Sequence, residues 1–136
     1  MITGVPDSVL RNLTGALEHG IEDCAHIITA NEGNAVGVVI GHFLATGQPG
    51  LVYMQNSGIG NAVNPLLSLS STEIYGIPTF LIIGWRGKPG YSDEPQHIKQ
   101  GLVTQELLHA MDVKTWVVDE HSDVQAMLED AWSGML

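Results

Sequence analysis

The 136-residue chain contains one cysteine, Cys24, and only 5 Lys+Arg against 15 Asp+Glu. A single thiol excludes an internal disulfide framework and a thiolate zinc cluster. So few cations argue against non-specific nucleic-acid binding, because neutralising phosphates requires Lys and Arg. No apolar run reaches the length of a membrane span and no basic-then-apolar leader opens the sequence, so a cytoplasmic protein without membrane contact is expected. The 6 histidines are scattered without ligand-pair spacing, and no metal site is expected in this chain. What remains is 44% hydrophobic and 15% charged, a balance that favours a folded core over disorder. The length predicts one domain over residues 1–136.

Periodicity and punctuation predict alternating strands and helices. Ile2 to Pro6, Ala25 to Thr29, Leu51 to Gln55, Pro78 to Gly84 and Thr115 to Val118 read as five strands. Ala25 to Thr29 reads as buried, and the unbroken apolar run of Pro78 to Gly84 predicts burial on both sheet faces. Helices are predicted after Asp7 and Ser8 as caps, over Asn31 to Thr46 with Gly47 as C-cap, over Gly60 to Ser70, and over Val103 to Met111. A last helix follows the capping-box pair Ser122 and Gln125. Trp85 to Gln100 reads as a long polar loop. The sum is a doubly wound, mainly parallel α/β sheet with helices on both faces, whose ligands bind beyond the carboxyl ends of the strands.

Four segments at that edge could carry chemistry. Glu32 in Ala30-Asn31-Glu32-Gly33-Asn34-Ala35 opens a helix after a strand. There it either complements the helix dipole or serves as a partly desolvated carboxylate that exchanges a proton. Gly33, Gly37, Gly41 and Ala45 follow at four-residue spacing, a side-chain-poor stripe that predicts close approach of the sheet or a partner helix. Gln55-Asn56-Ser57-Gly58-Ile59-Gly60-Asn61 is a strand-to-helix turn that either cradles a polar cofactor edge or is a plain tight turn. In the long loop Arg86, Lys88 and Lys99 concentrate three of the five cations, which suits an anionic ligand or an ordinary solvated loop. His97 is the acid–base candidate there, and Cys24 reads as a small buried hydrophobe. Asp7, after the first strand, is a helix cap or a fourth polar group at the same edge.

Together TGVPDS, ANEGNA, YMQNSGIGNAVNPL and IGWRGKPGYSDEPQHIKQG resemble the phosphonopyruvate and sulfopyruvate decarboxylase family of thiamine-diphosphate enzymes, over nearly the whole chain. The matching part is the pyrimidine-binding (PYR) domain of the alpha-subunit type. The resemblance implies that Glu32 contacts N1′ of the cofactor's aminopyrimidine ring and promotes its imino tautomer. It places Asn56, Ser57, Gly58, Gly60 and Asn61 in the cofactor cleft, and Asp7 and His97 beside the reacting substrate. Arg86, Lys88, Gln96 and Ser8 are candidates for the substrate's anionic head group. The sequence holds no GDG motif. The resemblance therefore implies a partner beta subunit whose PP domain carries GDG and holds Mg²⁺ and the diphosphate. The expected substrate is a small anionic 2-oxo acid, with phosphonopyruvate ahead of sulfopyruvate on the DEPQH and WRGKPG segments. A non-catalytic PYR-fold assembly module is the contrasting expectation. Self-association is expected through the Gly33/Gly37/Gly41 face.

Overall fold

The structure, a computed structural model, describes residues 1–21 and 23–135. Its elements run β1 (Ile2–Gly4), α1 (Arg11–Glu18), β2 (His26–Ile28), α2 (Glu32–Thr46), β3 (Gly50–Gln55), α3 (Ile59–Pro65), β4 (Thr79–Gly84), α4 (Pro95–Ala110) and α5 (Val124–Met135). A short 3-10 turn, Asn56–Gly58, leads into α3, and a π-helical turn, Leu66–Ser70, continues it. Pro65 has no N–H to donate, so the regular ladder cannot pass through it.

The four strands form one sheet in the order β2-β1-β3-β4, all parallel. Parallel neighbours need crossover helices, and here those crossovers leave β1 in one direction and β3 in the other. The switch point thus lies between the carboxyl ends of β1 and β3, where an open α/β sheet forms its ligand crevice.

On one face α2 contributes Ala35, Val36, Val39 and Ile40, which pack with Val52 and Met54 of β3 and with Ile59, Ala62, Leu66 and Leu108. Alternate residues of β3 point the other way. Leu51 and its partner Phe80 share a hollow with Leu128 and Trp132 of α5, so helices flank both faces. Tyr53 is fully buried, and its hydroxyl meets His26 Nε2 at 2.9 Å.

The α/β class, the parallel sheet and the Gly47 cap of α2 agree with the sequence reading. Several expectations need correction. Thr115 to Val118 is not a strand among the described residues: its residues form no ladder, and Trp116 donates instead to Asp130 Oδ2 at 2.9 Å. With that neighbour unpaired, β4 is an edge strand and is half-buried along most of its length. The β2 strand is also an edge, with Ile28 exposed, rather than a buried strand.

Neither Asp7 nor Ser8 caps α1. Asp7 Oδ2 accepts from Val9 N–H at 3.1 Å in a turn that precedes the helix, which starts at Arg11. In α5, Asp123 caps Ala126 N–H at 3.1 Å, while Ser122 turns back to Asp119. The long loop is shorter than expected, because Pro95 opens α4 and places Gln96 and His97 in its first turn. Cys24 is half-buried rather than buried.

Candidate functional site

All four strands deliver their next residues to the same edge of the sheet, so Asp7, Glu32, Asn56 and Arg86 share one end of the domain. Two groups of contacts organise this end.

The first group is built around Glu32. Asn31 caps α2 by accepting Asn34 N–H at 2.9 Å, which fixes Glu32 as the first helical residue. Its side chain folds over the β3–α3 turn and is 9% exposed. Asn61 Nδ2 donates to Glu32 Oε2 at 2.8 Å. The rest of the carboxylate lies on the α-carbon of Gly58, where a methyl group would fall 2.3 Å from Oε1. Any side chain at Gly58 would therefore push the carboxylate out of place. Among the described residues, Oε1 accepts no hydrogen bond. A nearly buried acid with one oxygen held and one free is suited to sharing a proton with a ligand nitrogen.

The second group is built around Arg86. Its Nε donates to Asp93 Oδ2 at 2.8 Å and its Nη2 to Oδ1 at 2.5 Å, a bidentate pair. Gly87 N–H and Glu94 N–H add two more bonds to Asp93, each at 2.7 Å. Hydrogen bonding by Arg86, then by the Gly87 amide, holds the Asp93 carboxyl well below the usual carboxylate range. The same pairing raises the Arg86 guanidinium above its ordinary value. Arg86 Nη1 donates to Ser8 Oγ at 2.9 Å, tying the β4–α4 loop to the β1–α1 loop.

The three clustered cations do not form a common anion receptor. Arg86 is neutralised by Asp93. Lys88 instead stacks between the rings of Trp85 and Tyr91, with its Nζ 5.6 and 5.1 Å from their centroids. Lys99 is exposed on α4. Gln96 is exposed on the first turn of α4, and His97 is half-buried beside it.

The remaining candidates of the β3–α3 turn differ in access. Ser57 is exposed, and Gly60 opens on empty space within 4 Å of where its Cβ would stand. Asn56 is 2% exposed and bonds Arg86 and Thr104. Of the glycine stripe, Gly33 packs against the Asn61 carbonyl, whereas Gly37 and Gly41 meet nothing within 4 Å. Among the described residues, close approach to this stripe is made at Gly33. Sequence reasoning missed Asp93, whose partners lie in its own loop, and Thr104, whose partner Asn56 lies 48 residues away.

The family model for the thiamine pyrophosphate enzyme N-terminal TPP binding domain matches residues 1–113, which include Glu32, Asn61, Arg86 and His97. The chain is 38% identical to the phosphonopyruvate decarboxylase of Streptomyces viridochromogenes over 90% of its own length and 30% of that protein's. It is 33% identical to the sulfopyruvate decarboxylase subunit alpha of Methanocaldococcus jannaschii, covering 98% of this chain and 76% of that one. The chain therefore spans about 30% of the length of the phosphonopyruvate decarboxylases it matches. In fold it is similar to an X-ray structure of a thiamin diphosphate-dependent enzyme isolated from Mycobacterium smegmatis. The TM-score is 0.63 at 22% identity, covering 96% of this chain and 24% of the other.

Proposed function

The chain belongs to the thiamine pyrophosphate enzymes and carries their N-terminal TPP binding domain; from that premise we propose that it is the pyrimidine-binding half of a decarboxylase acting on phosphonopyruvate to give phosphonoacetaldehyde and CO2. The observation that carries this reading is the seat of Glu32. Its Oε2 is fixed by Asn61, its stem is pressed onto Gly58, and Oε1 is left for the N1′ position of the cofactor ring.

Thiamine diphosphate, when bound, supplies the electron sink that loss of CO2 from a 2-oxo acid requires. Glu32 holds or releases a proton at the pyrimidine edge, and its low exposure strengthens that interaction by keeping water away. Ser57, Gly58, Gly60 and Asn61 form the wall of the cleft. Asp7 and His97 are assigned to the reacting carboxylate, from opposite loops of the same edge. Of the five guanidinium donors of Arg86, three are bound by Asp93 and Ser8, which leaves two for the phosphonate. Ser8 and Gln96 complete that subsite, while Lys88 acts through its stack on Trp85 and Tyr91.

The diphosphate and Mg²⁺ are assigned to a PP-domain partner bearing a GDG motif. The name of the Methanocaldococcus jannaschii relative as a subunit alpha supports this assignment. The Gly33/Gly37/Gly41 face of α2, open at Gly37 and Gly41, is assigned to contact with a second copy. The 76% coverage of that subunit favours sulfopyruvate as the second reading, whereas the higher identity, 38%, supports phosphonopyruvate.

The test is to co-purify the chain with a GDG-bearing partner and assay aldehyde release from both substrates with thiamine diphosphate and Mg²⁺. Phosphonopyruvate is expected to be turned over with the higher kcat/KM. Glu32→Gln should lower turnover about a hundredfold or more. Turnover within a few-fold of wild type in Glu32→Gln would remove Glu32 from the chemistry. If no mixture shows a cofactor-dependent thermal shift, the chain is a non-catalytic assembly module.

A further inference from the structure

Asn56 follows β3 directly and begins the turn that seats Glu32. Its Nδ2 donates both to the Arg86 carbonyl at 2.9 Å and to Thr104 Oγ1 at 2.9 Å. Its Oδ1 accepts the Arg86 N–H at 3.1 Å. Both amide hydrogens are thus committed within the protein, and a side chain that is 2% exposed has no donor left for a ligand. This differs from the cofactor contact expected of Asn56 from sequence.

The three elements it joins matter more than its own surface. Two residues onward, Gly58 supports the Glu32 carboxylate. On the other side, the Arg86 backbone is gripped at both its N–H and its carbonyl, while its guanidinium is held by Asp93 and Ser8. Thr104 anchors the arrangement to α4, its Oγ1 donating to the Gln100 carbonyl at 2.6 Å. Satisfied buried networks of this kind have one geometry, and removing one member leaves the others without partners.

We infer that Asn56 is a positioning residue: with Thr104 it locks the Arg86 backbone to the turn beneath Glu32, so the cofactor side and the substrate side of the site keep a fixed spacing. The meaning of those two sides rests on the proposed function, but the lock itself is a property of the fold.

The test compares Asn56→Ala and Thr104→Val with Thr104→Ser, which keeps the hydroxyl, by residue-resolved hydrogen exchange on the full chain. The Arg86 amide is expected to exchange about tenfold faster or more in the first two variants. The α2 amides of Val36 and Val39 should hold their protection, and Thr104→Ser should restore Arg86. In the reconstituted enzyme, Asn56→Ala and Thr104→Val should raise KM for the oxo acid about tenfold with a smaller change in kcat, again rescued in Thr104→Ser. An Arg86 amide that exchanges at the wild-type rate in Thr104→Val would overturn the inference. So would an equal loss of protection throughout α2. If Asn56→Ala does not fold, Thr104→Val decides the question alone. Exchange needs no turnover, so its outcome is independent of whether the decarboxylase reading survives.

Discussion

The Asp7 carboxylate lies against the α-carbon of Gly84 although β3 separates their strands: a methyl group at Gly84 would stand 2.3 Å from Asp7 Oδ2. The loop after β1 therefore reaches across the end of β3 to the end of β4, and Asp7 is held at 8% exposure by that reach. Gly84→Ala should displace Asp7 by about an ångström and lower kcat/KM about a hundredfold, with the far-ultraviolet circular dichroism unchanged.

Gly58→Ala tests the seat of Glu32 in the same way. The added methyl has no room beside the carboxylate. Overpacking of this kind should weaken thiamine diphosphate binding at least about tenfold, measured by calorimetry on the chain with its partner.

Asn61→Leu removes the donor to Glu32 Oε2 without adding charge. A hydrogen bond to a charged oxygen is worth about tenfold in rate or more, so kcat should fall by that factor in steady-state assays. An unchanged kcat would show that the carboxylate is held by Gly58 packing alone.

The Arg86–Asp93 pair sets an acid limit on the loop. Because the folded-state pKa of Asp93 is depressed, its contribution to stability is fully present above the ordinary carboxylate value of 3.8 and is lost as pH falls below it. Asp93→Asn should therefore melt at a lower temperature than wild type at pH 7. The gap between the two melting temperatures should narrow as the pH is taken below about 4. A gap that stays constant from pH 7 to pH 2 would exclude the pair as its source.

Thr3 offers a stabilising change. It is fully buried on β1, and among the described residues its Oγ1 has no hydrogen-bond partner. Thr3→Val replaces that hydroxyl with a methyl of similar shape and should raise stability by about 1 kcal/mol in urea unfolding.

How much of this was legible in the sequence depended on the range of the interaction. Glu32 was visible because a strand followed by an acid in the first turn of a helix is a local pattern; that Asn31 caps the helix emerges only in the structure. The turn around Gly58 was visible for the same reason. Thr115 to Val118 carries strand-forming residues, but strand propensity reports on partners, and these residues formed no ladder. The cations of the loop were countable, yet their pairing was not. Arg86 meets Asp93 only because the loop folds back on itself, and Lys88 is committed to two aromatic rings instead. Asn56 and Thr104 lie 48 residues apart and face each other only once α4 crosses the end of the sheet.

Parallel strands also send every strand-to-helix loop of the sheet to one end and every helix-to-strand return to the other. The chain returns to β3 through Gly47-Gln48-Pro49, on the amino-terminal side of a strand six residues long. Gln48 is exposed there, roughly 20 Å from the Glu32 end. A cysteine introduced at Gln48 would give a dye or surface-immobilisation handle that leaves the opposite mouth unobstructed for cofactor and partner titrations.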